Sequence, residues 1–473
     1  MSNPSLSPDA LQENARSLAA ALGIELEHAA ELLNAHVMIT HDAGDPSAVF
    51  IAGEVRGLLG RTLQYIDEVA SAEVAVELVI GDALPRSTAA IVWLSVDSDK
   101  AVIGQEYRKA ERRGQIHPAA FFVTACYAAG AVVRTVIGDR MPLPRREQLI
   151  LNLDALGISE ALAAATIDLG HAYLAGAGAI GTGFLWVLRW FAVCGKLEIV
   201  DFDWVKSGNL NRQLWYGPAD IGHRKAERLA GLAQSSFPEL VLKPRVAQLE
   251  KLPDKLDDPR WLRRLIVAVD SRVARRTLQS ELPGEVFDAS TTDIREIIVH
   301  ANRQVHANRQ PGRLACMGCI YPRNAQEDTR TRSIAAALGV TVDDVRRGII
   351  EPAAARLIIA RYPDRGLTEE SLIGEAYDSL FKALCAQAAL RSANQQQIFA
   401  PFAFVSALAG ALLAIETIRR VAGTVVPHNY WRVSPWEPFD TRLRREIPAS
   451  PTCEVCGDPV IRQIAAEVWG ATP

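Results

Sequence analysis

The residues with the clearest chemistry lie between His171 and Lys225. Gly176-Ala177-Gly178-Ala179-Ile180-Gly181 has the spacing of a turn that offers backbone N–H groups to a phosphate. Only glycine lets a chain turn that tightly and approach an anion that closely. Asp201 follows about 20 residues later, the distance at which a carboxylate can accept from a ribose hydroxyl. Asp203, Asn209, Asn211, Arg212 and Gln213 come next, then Lys225 within Gly222-His223-Arg224-Lys225. A guanidinium and an ammonium beside such a turn suit a triphosphate, whose charge must be neutralised as pyrophosphate leaves. Farther along stand two CxxC pairs, Cys316 with Cys319 and Cys453 with Cys456. Four thiolates at this spacing satisfy a tetrahedral zinc with no open position, as a structural site requires.

These groups need a scaffold, and the flanking pattern predicts one. Ala172 to Leu174 reads as a strand, the glycines open a long apolar helix that ends near Gly195, and Lys196 to Val200 forms a second strand ending at Asp201. That is the βαβ unit of a nucleotide-binding fold, and up to this point it suits a nicotinamide dehydrogenase equally well. Upstream, Ser7-Pro8-Asp9 starts a helix that Gly23 stops, and Leu26 to Asn34 forms a second. Ala75 to Ile80, Ala89 to Val96 and Ala119 to Thr124 read as β-rich segments, with Cys126 a buried strand residue. The order suggests an α/β domain without a phosphate loop. Between Met141 and Leu169, PRREQLILNL reads as a basic, helical lead-in. Arg323 to about Gln397 is helical by pattern: Ser333 to Leu338, Val342 to Ile349 capped by Thr341, a helix from Glu351 ended by Pro363, and one from Thr368 or Glu375 through Leu390. Pro401 to Arg420 is an apolar helix, Asn429 to Pro435 a last strand and Asp458 to Trp469 a terminal helix. HANRQ occurs twice between Val299 and Gln310, a local duplication to which no chemistry is assigned.

GAGAIG, DFDWVKSGNLNRQ and the lysine of GHRKAE together resemble the adenylation domain of the ubiquitin-activating E1 family and its relatives ThiF and MoeB. Gly208 stands where the family usually has serine. LIVAVDSRVARR, GRLACMGCIYP and PTCEVCG continue the resemblance, which covers about residues 165–325 and 400–457. It implies a Rossmann-like α/β adenylation domain with a mainly helical catalytic-cysteine insertion and a degenerate α/β N-terminal domain. The expected division is 1–145 for the inactive half, 146–322 and 398–473 for the adenylation domain, and 323–397 for the insertion. It implies ATP bound by Gly176, Ala177, Gly178 and Gly181, with Asp201 on the ribose. Asp203, Asn209, Arg212, Gln213 and Lys225 would gather around the phosphates, with Asp270 towards magnesium. Cys385, alone between the zinc pairs, becomes the expected nucleophile, because a thiolate can take an acyl group from an adenylate and pass it to another thiol. On composition alone it reads rather as part of one apolar face of a core helix with Phe381 and Leu384; its position between the zinc pairs turns the reading to nucleophile. Homodimeric relatives reach the partner's ATP with an N-terminal arginine, a role open here to Arg145, Arg146 or, in a single-chain pseudodimer, Arg16. The implied partners are a ubiquitin-like protein, offered by its C-terminal tail, and an E2-like conjugating protein. The length and helical insertion resemble the BilD-type E1 enzymes of bacterial ubiquitin-like antiphage systems.

The chain's 473 residues allow two or three domains, and its composition, 49% apolar and 22% charged with formal charge −4, is that of an ordinary globular protein. Acids outnumber bases, so no nucleic acid is expected as a partner. Met1 to Asp9 is polar, so no secretory signal is expected. The apolar stretch Ala172 to Cys194 is read as a buried strand and helix rather than a membrane span. Seven cysteines, four of them in CxxC pairs, suggest a reducing, cytoplasmic setting with metal rather than disulfides. Three other functions stay open at this point: adenylation of a sulfur-carrier protein without a thioester, an NAD-binding oxidoreductase, and a non-catalytic scaffold.

Overall fold

The structure is a computed structural model that describes residues 6–470 apart from 98, 110–115, 142–145, 293, 304–313, 324, 376, 387–401, 425–427 and 440–443. Two compact units are present, one formed by Met1–Ile320 with Ala400–Pro473 and one by Tyr321–Phe399.

The N-terminal half of the larger unit begins with two helices. Helix α1 (Pro8–Leu22) is capped by the Ser7 hydroxyl and stopped by Gly23 in the left-handed region, and α2 (Leu26–Leu33) follows. Then come β1 (His36–His41), α3 (Pro46–Leu59), β2 (Tyr65–Asp67), β3 (Val74–Ile80), β4 (Ala90–Val96), β5 (Lys100–Gly104), α4 (Pro118–Ile137) and β6 (Gln148–Asn152). The six strands form one sheet in the order β2-β1-β3-β4-β5-β6, parallel through β4 and antiparallel beyond it. Two expectations are corrected here. Ala119 to Thr124 and Cys126 belong to helix α4, whose start is set by the His117 ring and Pro118. It is apolar nearly all round because both of its faces are buried, so its pattern carries no helical stripe. The stretch QLILN is a strand rather than a helical lead-in, with Leu149 and Leu151 buried on alternate positions, and it completes the N-terminal sheet.

The second half holds the short helix α5 (Glu160–Ala164), β7 (Ile167–Ala175), α6 (Ala179–Leu188), β8 (Val193–Val200), α7 (Lys225–Ala233), β9 (Leu240–Arg245), α8 (Asp254–Asp257), β10 (Arg264–Val267), α9 (Arg272–Ser280), β11 (Glu285–Thr292) and β12 (Glu296–Arg303). Strand order β14-β13-β12-β11-β10-β7-β8-β9 places five parallel strands beside three antiparallel ones, once α10 (Met317–Ile320), α16 (Ala403–Val421), β13 (Tyr430–Val433), β14 (Arg444–Arg445) and α17 (Pro459–Gly470) are added. The apolar helix after the glycines stops at Leu188, short of Gly195, because the chain already extends into β8 at Val193. Cys194 therefore lies on that strand, half-buried, not at the end of the helix.

One hydrophobic core runs through both halves. Helices α3 and α4 pack on each other and on α16, which packs on α6, and buried residues from Ala15 to Phe439 form a single cluster. Helix α4 is the one described helix long and apolar enough to cross a membrane; 72% of its most apolar stretch is buried in this core. The smaller unit is helical: α11 (Ala325–Leu338), α12 (Val342–Arg346) with Thr341 in a capping box, α13 (Pro352–Arg361), α14 (Glu369–Leu372) and α15 (Tyr377–Ala386) surround their own core of Ile334, Leu338, Ile358 and Phe381.

The tightest crossing in the larger unit is between α6 and α16. A Cβ on Gly410 would stand 2.5 Å from the Gly183 carbonyl carbon and the Phe184 nitrogen, both backbone atoms that cannot swing away. Gly410→Ala should therefore lower stability by about 1–3 kcal/mol through overpacking. Gly53, in α3, has nothing within 4 Å of its own Cβ position. Gly53→Ala should raise stability by about 0.5–1 kcal/mol. Denaturant unfolding of the two variants checks the opposite signs.

Candidate nucleotide and zinc sites

The parallel strands, read as β9-β8-β7-β10-β11, are doubly wound outward from β7. The crevice at their carboxyl ends lies between β7 and β10, where strand order reverses and ligands bind in such sheets. The glycine turn sits there for steric reasons. Gly176 has φ 102°, and a Cβ on it would lie 2.7 Å from the Ala268 carbonyl oxygen at the end of β10. A Cβ on Gly181 would lie 2.0 Å from the Gly176 carbonyl oxygen, so the first turn of α6 is packed directly onto the loop. Gly178 is the N-cap of α6; its Cβ position faces open space and no side chain caps the helix. The first N–H groups of a ten-residue helix thus point into the crevice with the positive end of its dipole.

The acids and bases expected around the turn are brought to it. Asp201, at the end of β8, accepts from the Ala177 N–H (2.7 Å) through one oxygen and from the Asp203 N–H (2.8 Å) through the other. A carboxylate oxygen has two lone pairs, so a ribose hydroxyl can still be accommodated. Burial pushes the Asp201 carboxyl up, against the opposing effect of Lys225. Lys225 opens α7 and donates to Asp203 at 2.9 Å. Burial alone would depress the ammonium, but Asp203 and Asp201 outweigh it and the pKa is raised, so the charge is held at neutral pH. The Arg212 guanidinium is pulled down by burial and held up by the charges of Glu13 and Asp270. Asp270, exposed, also acts on Lys225.

Asn209 caps its own turn, its Oδ1 accepting from the Lys206 N–H at 3.1 Å, while its carbonyl accepts from the N–H groups of Arg212 and Gln213. Gln213 is buried and its Oε1 has no hydrogen-bond partner among the described residues, an orphaned acceptor that a ligand hydroxyl or amino group would satisfy. Two groups were not singled out from sequence. Tyr216 donates to or shares its hydroxyl with the Ala177 carbonyl (3.0 Å) and the Lys225 carbonyl (2.9 Å), tying the glycine turn to the start of α7. Helix α1 docks on the Ser207–Asn209 turn, with Ser7 Oγ donating to the Ser207 carbonyl at 3.3 Å and Ser207 Oγ donating to Asp9. Glu13, on that helix, acts electrostatically on Arg212, and Arg16 pairs with Glu13 at 3.7 Å one turn along α1. Arg146, exposed, pairs with half-buried Glu437 instead, and Arg145 lies outside the described residues.

The four cysteines of the CxxC pairs converge, all their sulfurs lying within 4.8 Å of one another. Cys316 and Cys453 are 3.6 Å apart, and Cys319 and Cys456 are 3.2 Å apart. Ser450 N–H donates to Cys319 at 3.3 Å, the kind of outer contact that supports a thiolate ligand. Hydrogen bonds from the neighbouring thiols, Cys316 foremost, lower Cys319 to about 7 and depress Cys453 further. This donor set and spacing fit a zinc ion. The site joins the chain at α10 to the segment just before α17. Cys385 lies within α15, and its side chain falls outside what the structure describes, as does the second HANRQ copy.

Comparison with known proteins bears on the same residues. A profile of the ThiF family matches residues 151–455, and a profile of the E1 N-terminal domain matches residues 7–159. The chain belongs to the ThiF family. Its two halves correspond to an E1-type N-terminal domain followed by the ThiF domain, a Rossmann-like α/β adenylation fold. It is 28% identical to the uncharacterized protein y4jF of Sinorhizobium fredii over 342 residues, 67% of this chain and 63% of that protein. It is 36% identical to the NEDD8-activating enzyme E1 catalytic subunit of Saccharomyces cerevisiae over 78 residues, 16% of this chain and 26% of that protein. Human ubiquitin-like modifier-activating enzyme 7 is 33% identical over 113 residues, 22% of this chain and 11% of that protein. The chain thus spans under two thirds of each of these relatives. The structure of E. coli MccB with AMPCPP and MccA aligns over 70% of this chain and 74% of that one, with TM-score 0.36 and 14% identity.

Metal analysis of the purified chain should find one zinc per molecule, released when a mercurial titrates the thiols. Cys453→Ser should lower the thermal midpoint by roughly 5 °C or more, because a structural ion contributes folding energy.

Proposed function

We propose that this protein is an E1-like activating enzyme that adenylates the C-terminal carboxylate of a ubiquitin-like protein. The observation that carries the reading is a buried ammonium tied to the glycine turn, Lys225 pairing with Asp203, whose N–H and that of Ala177 both bond Asp201, together with a half-buried guanidinium on the following segment, Arg212, that Glu13 and Asp270 hold charged. A nicotinamide site gains little from them; a triphosphate that loses pyrophosphate does. The ThiF and E1 N-terminal profiles support the same reading.

ATP would lie across Gly176–Gly181 with its ribose at Asp201 and its phosphates among Asn209, Arg212, Gln213 and Lys225. Magnesium would be held by Asp270 and would offset phosphate charge. Arg16, on the helix whose start docks on the Ser207–Asn209 turn, would be the N-terminal arginine that reaches the phosphates. The substrate carboxylate attacks the α-phosphorus; the α–β phosphoanhydride bond breaks, and pyrophosphate leaves as an acyl-adenylate forms. The Cys385 thiolate then attacks the acyl carbon, AMP leaves, and the resulting thioester passes the acyl group to the cysteine of an E2-like protein. The setting proposed is cytoplasmic, in a bacterial antiphage conjugation pathway. The zinc at the four paired cysteines would serve stability only.

Lys225→Ala should slow pyrophosphate release by on the order of 10²-fold, since it removes one preorganised cation from the developing charge. Cys385→Ala should leave pyrophosphate release intact and abolish a reductant-sensitive adduct seen on gels after incubation with ATP-Mg and the ubiquitin-like protein. Pyrophosphate release with no adduct in either protein would instead indicate sulfur-carrier adenylation and return Cys385 to the core of α15.

A further inference from the structure

The segment that carries Arg212 is held from the N-terminal half by groups that never face the nucleotide crevice. Asn14, in α1, is 1% exposed. Its Nδ2 donates to the carbonyls of Arg61 (2.8 Å) and Thr62 (3.2 Å), just beyond α3. Its Oδ1 accepts from Asn211 Nδ2 at 2.7 Å, and Asn211 Oδ1 in turn accepts from Arg212 Nη1 at 2.6 Å. The direction of this chain is set at its far end: backbone carbonyls accept only, so the Asn14 amide must donate to them and must present its oxygen to Asn211. Asn211 must then donate with its nitrogen, which leaves its oxygen for the guanidinium. Each bond polarises the next. Arg212 Nη1 is also fixed by the Gly208 carbonyl at 3.1 Å, leaving Nε and Nη2 for an anion.

Arg61 grips the same segment farther along. It is 5% exposed, and its guanidinium donates to the carbonyls of Leu210, Leu214 (3.0 Å) and Tyr216 (3.2 Å). Burial lowers it to about 10, so it remains a cation at neutral pH. Tyr216 is the residue whose hydroxyl holds the glycine turn. The N-terminal half, which has no glycine turn of its own, thus fastens both ends of the stretch from Asn211 to Tyr216.

We propose that Asn14 is a positioning residue: through Asn211 it presets Arg212 for the phosphates of ATP, so that the nucleotide site depends on a side chain of the N-terminal half that touches no substrate. This rests on the adenylation reading above. An arginine that must be ordered at binding gives weaker phosphate contacts than one already held in place. The loss should fall on the phosphate end of the ligand and leave the adenosine end alone.

The test uses the full chain and calorimetric titration with the ATP analogue AMPCPP plus magnesium, and separately with AMP. Asn14→Leu should weaken AMPCPP binding by about tenfold, the worth of one buried hydrogen bond. It should leave AMP binding unchanged, and in an Arg212→Met background it should cost nothing further. Asn14→Ala, which keeps the helix and leaves room for water, supplies the same cycle if Asn14→Leu does not fold. Three outcomes overturn the proposal: AMPCPP bound as by the wild type, AMP weakened as much as AMPCPP, or losses that add in the double variant. If the wild type itself binds neither nucleotide, the adenylation reading falls and this proposal with it.

Discussion

The structure depends on how closely the first turn of α6 is packed onto the end of β7. With 2.0 Å between a Gly181 Cβ position and the Gly176 oxygen, and 2.7 Å between a Gly176 Cβ position and the Ala268 oxygen, no side chain fits at either place. That contact aims uncapped helix N–H groups into the crevice between β7 and β10. Around a fixed positive helix end, two further cations are tolerable only if acids balance them. Asp201, Asp203 and Asp270 do so for Lys225, and Glu13 and Asp270 do so for Arg212. Bringing a triphosphate into this arrangement adds negative charge where the donors already point, with little reorganisation.

The same economy explains the partnership of the two halves of the larger unit. Their sheets are built alike, parallel strands ending in antiparallel ones, and their helices α3, α4, α6 and α16 share one core. Only the second half kept a glycine turn. The first contributes polar side chains instead: Asn14 and Arg61 hold the 210–216 backbone, and Glu54 accepts from Trp186 (3.0 Å) and Arg189 (3.4 Å) beneath α6. These contacts bury charges and amides that find part of their partners across the boundary between the halves, so neither half offers a complete set of hydrogen bonds alone.

Much of the site was legible in the sequence because its chemistry is local. The glycine spacing, Asp201 at a strand end, Lys225 opening a helix and the paired cysteines are each defined by neighbours within a few residues. What was misread was set by burial. PAAFFVTACYAAGAVV in α4 is rich in strand formers and apolar on every face, so neither propensity nor period distinguishes helix from strand; the His117-Pro118 start was the usable signal. In QLILN the alternation of Leu149 and Leu151 marked a strand that the preceding arginines obscured. The roles of Asn14, Arg61 and Tyr216 rest chiefly on partners 39 to 197 residues away, which no local pattern contains.

The central claim is that this site activates a carboxylate at the expense of ATP. The most direct measurement is exchange of labelled pyrophosphate into ATP, with the ubiquitin-like partner supplied either with its free C-terminal carboxylate or with that terminus amidated. Adenylation predicts exchange with the free carboxylate and none with the amide, since only the former can form and reverse an acyl-adenylate. Exchange that ignores the state of the terminus, or tight NAD binding with no exchange under either condition, would contradict the account.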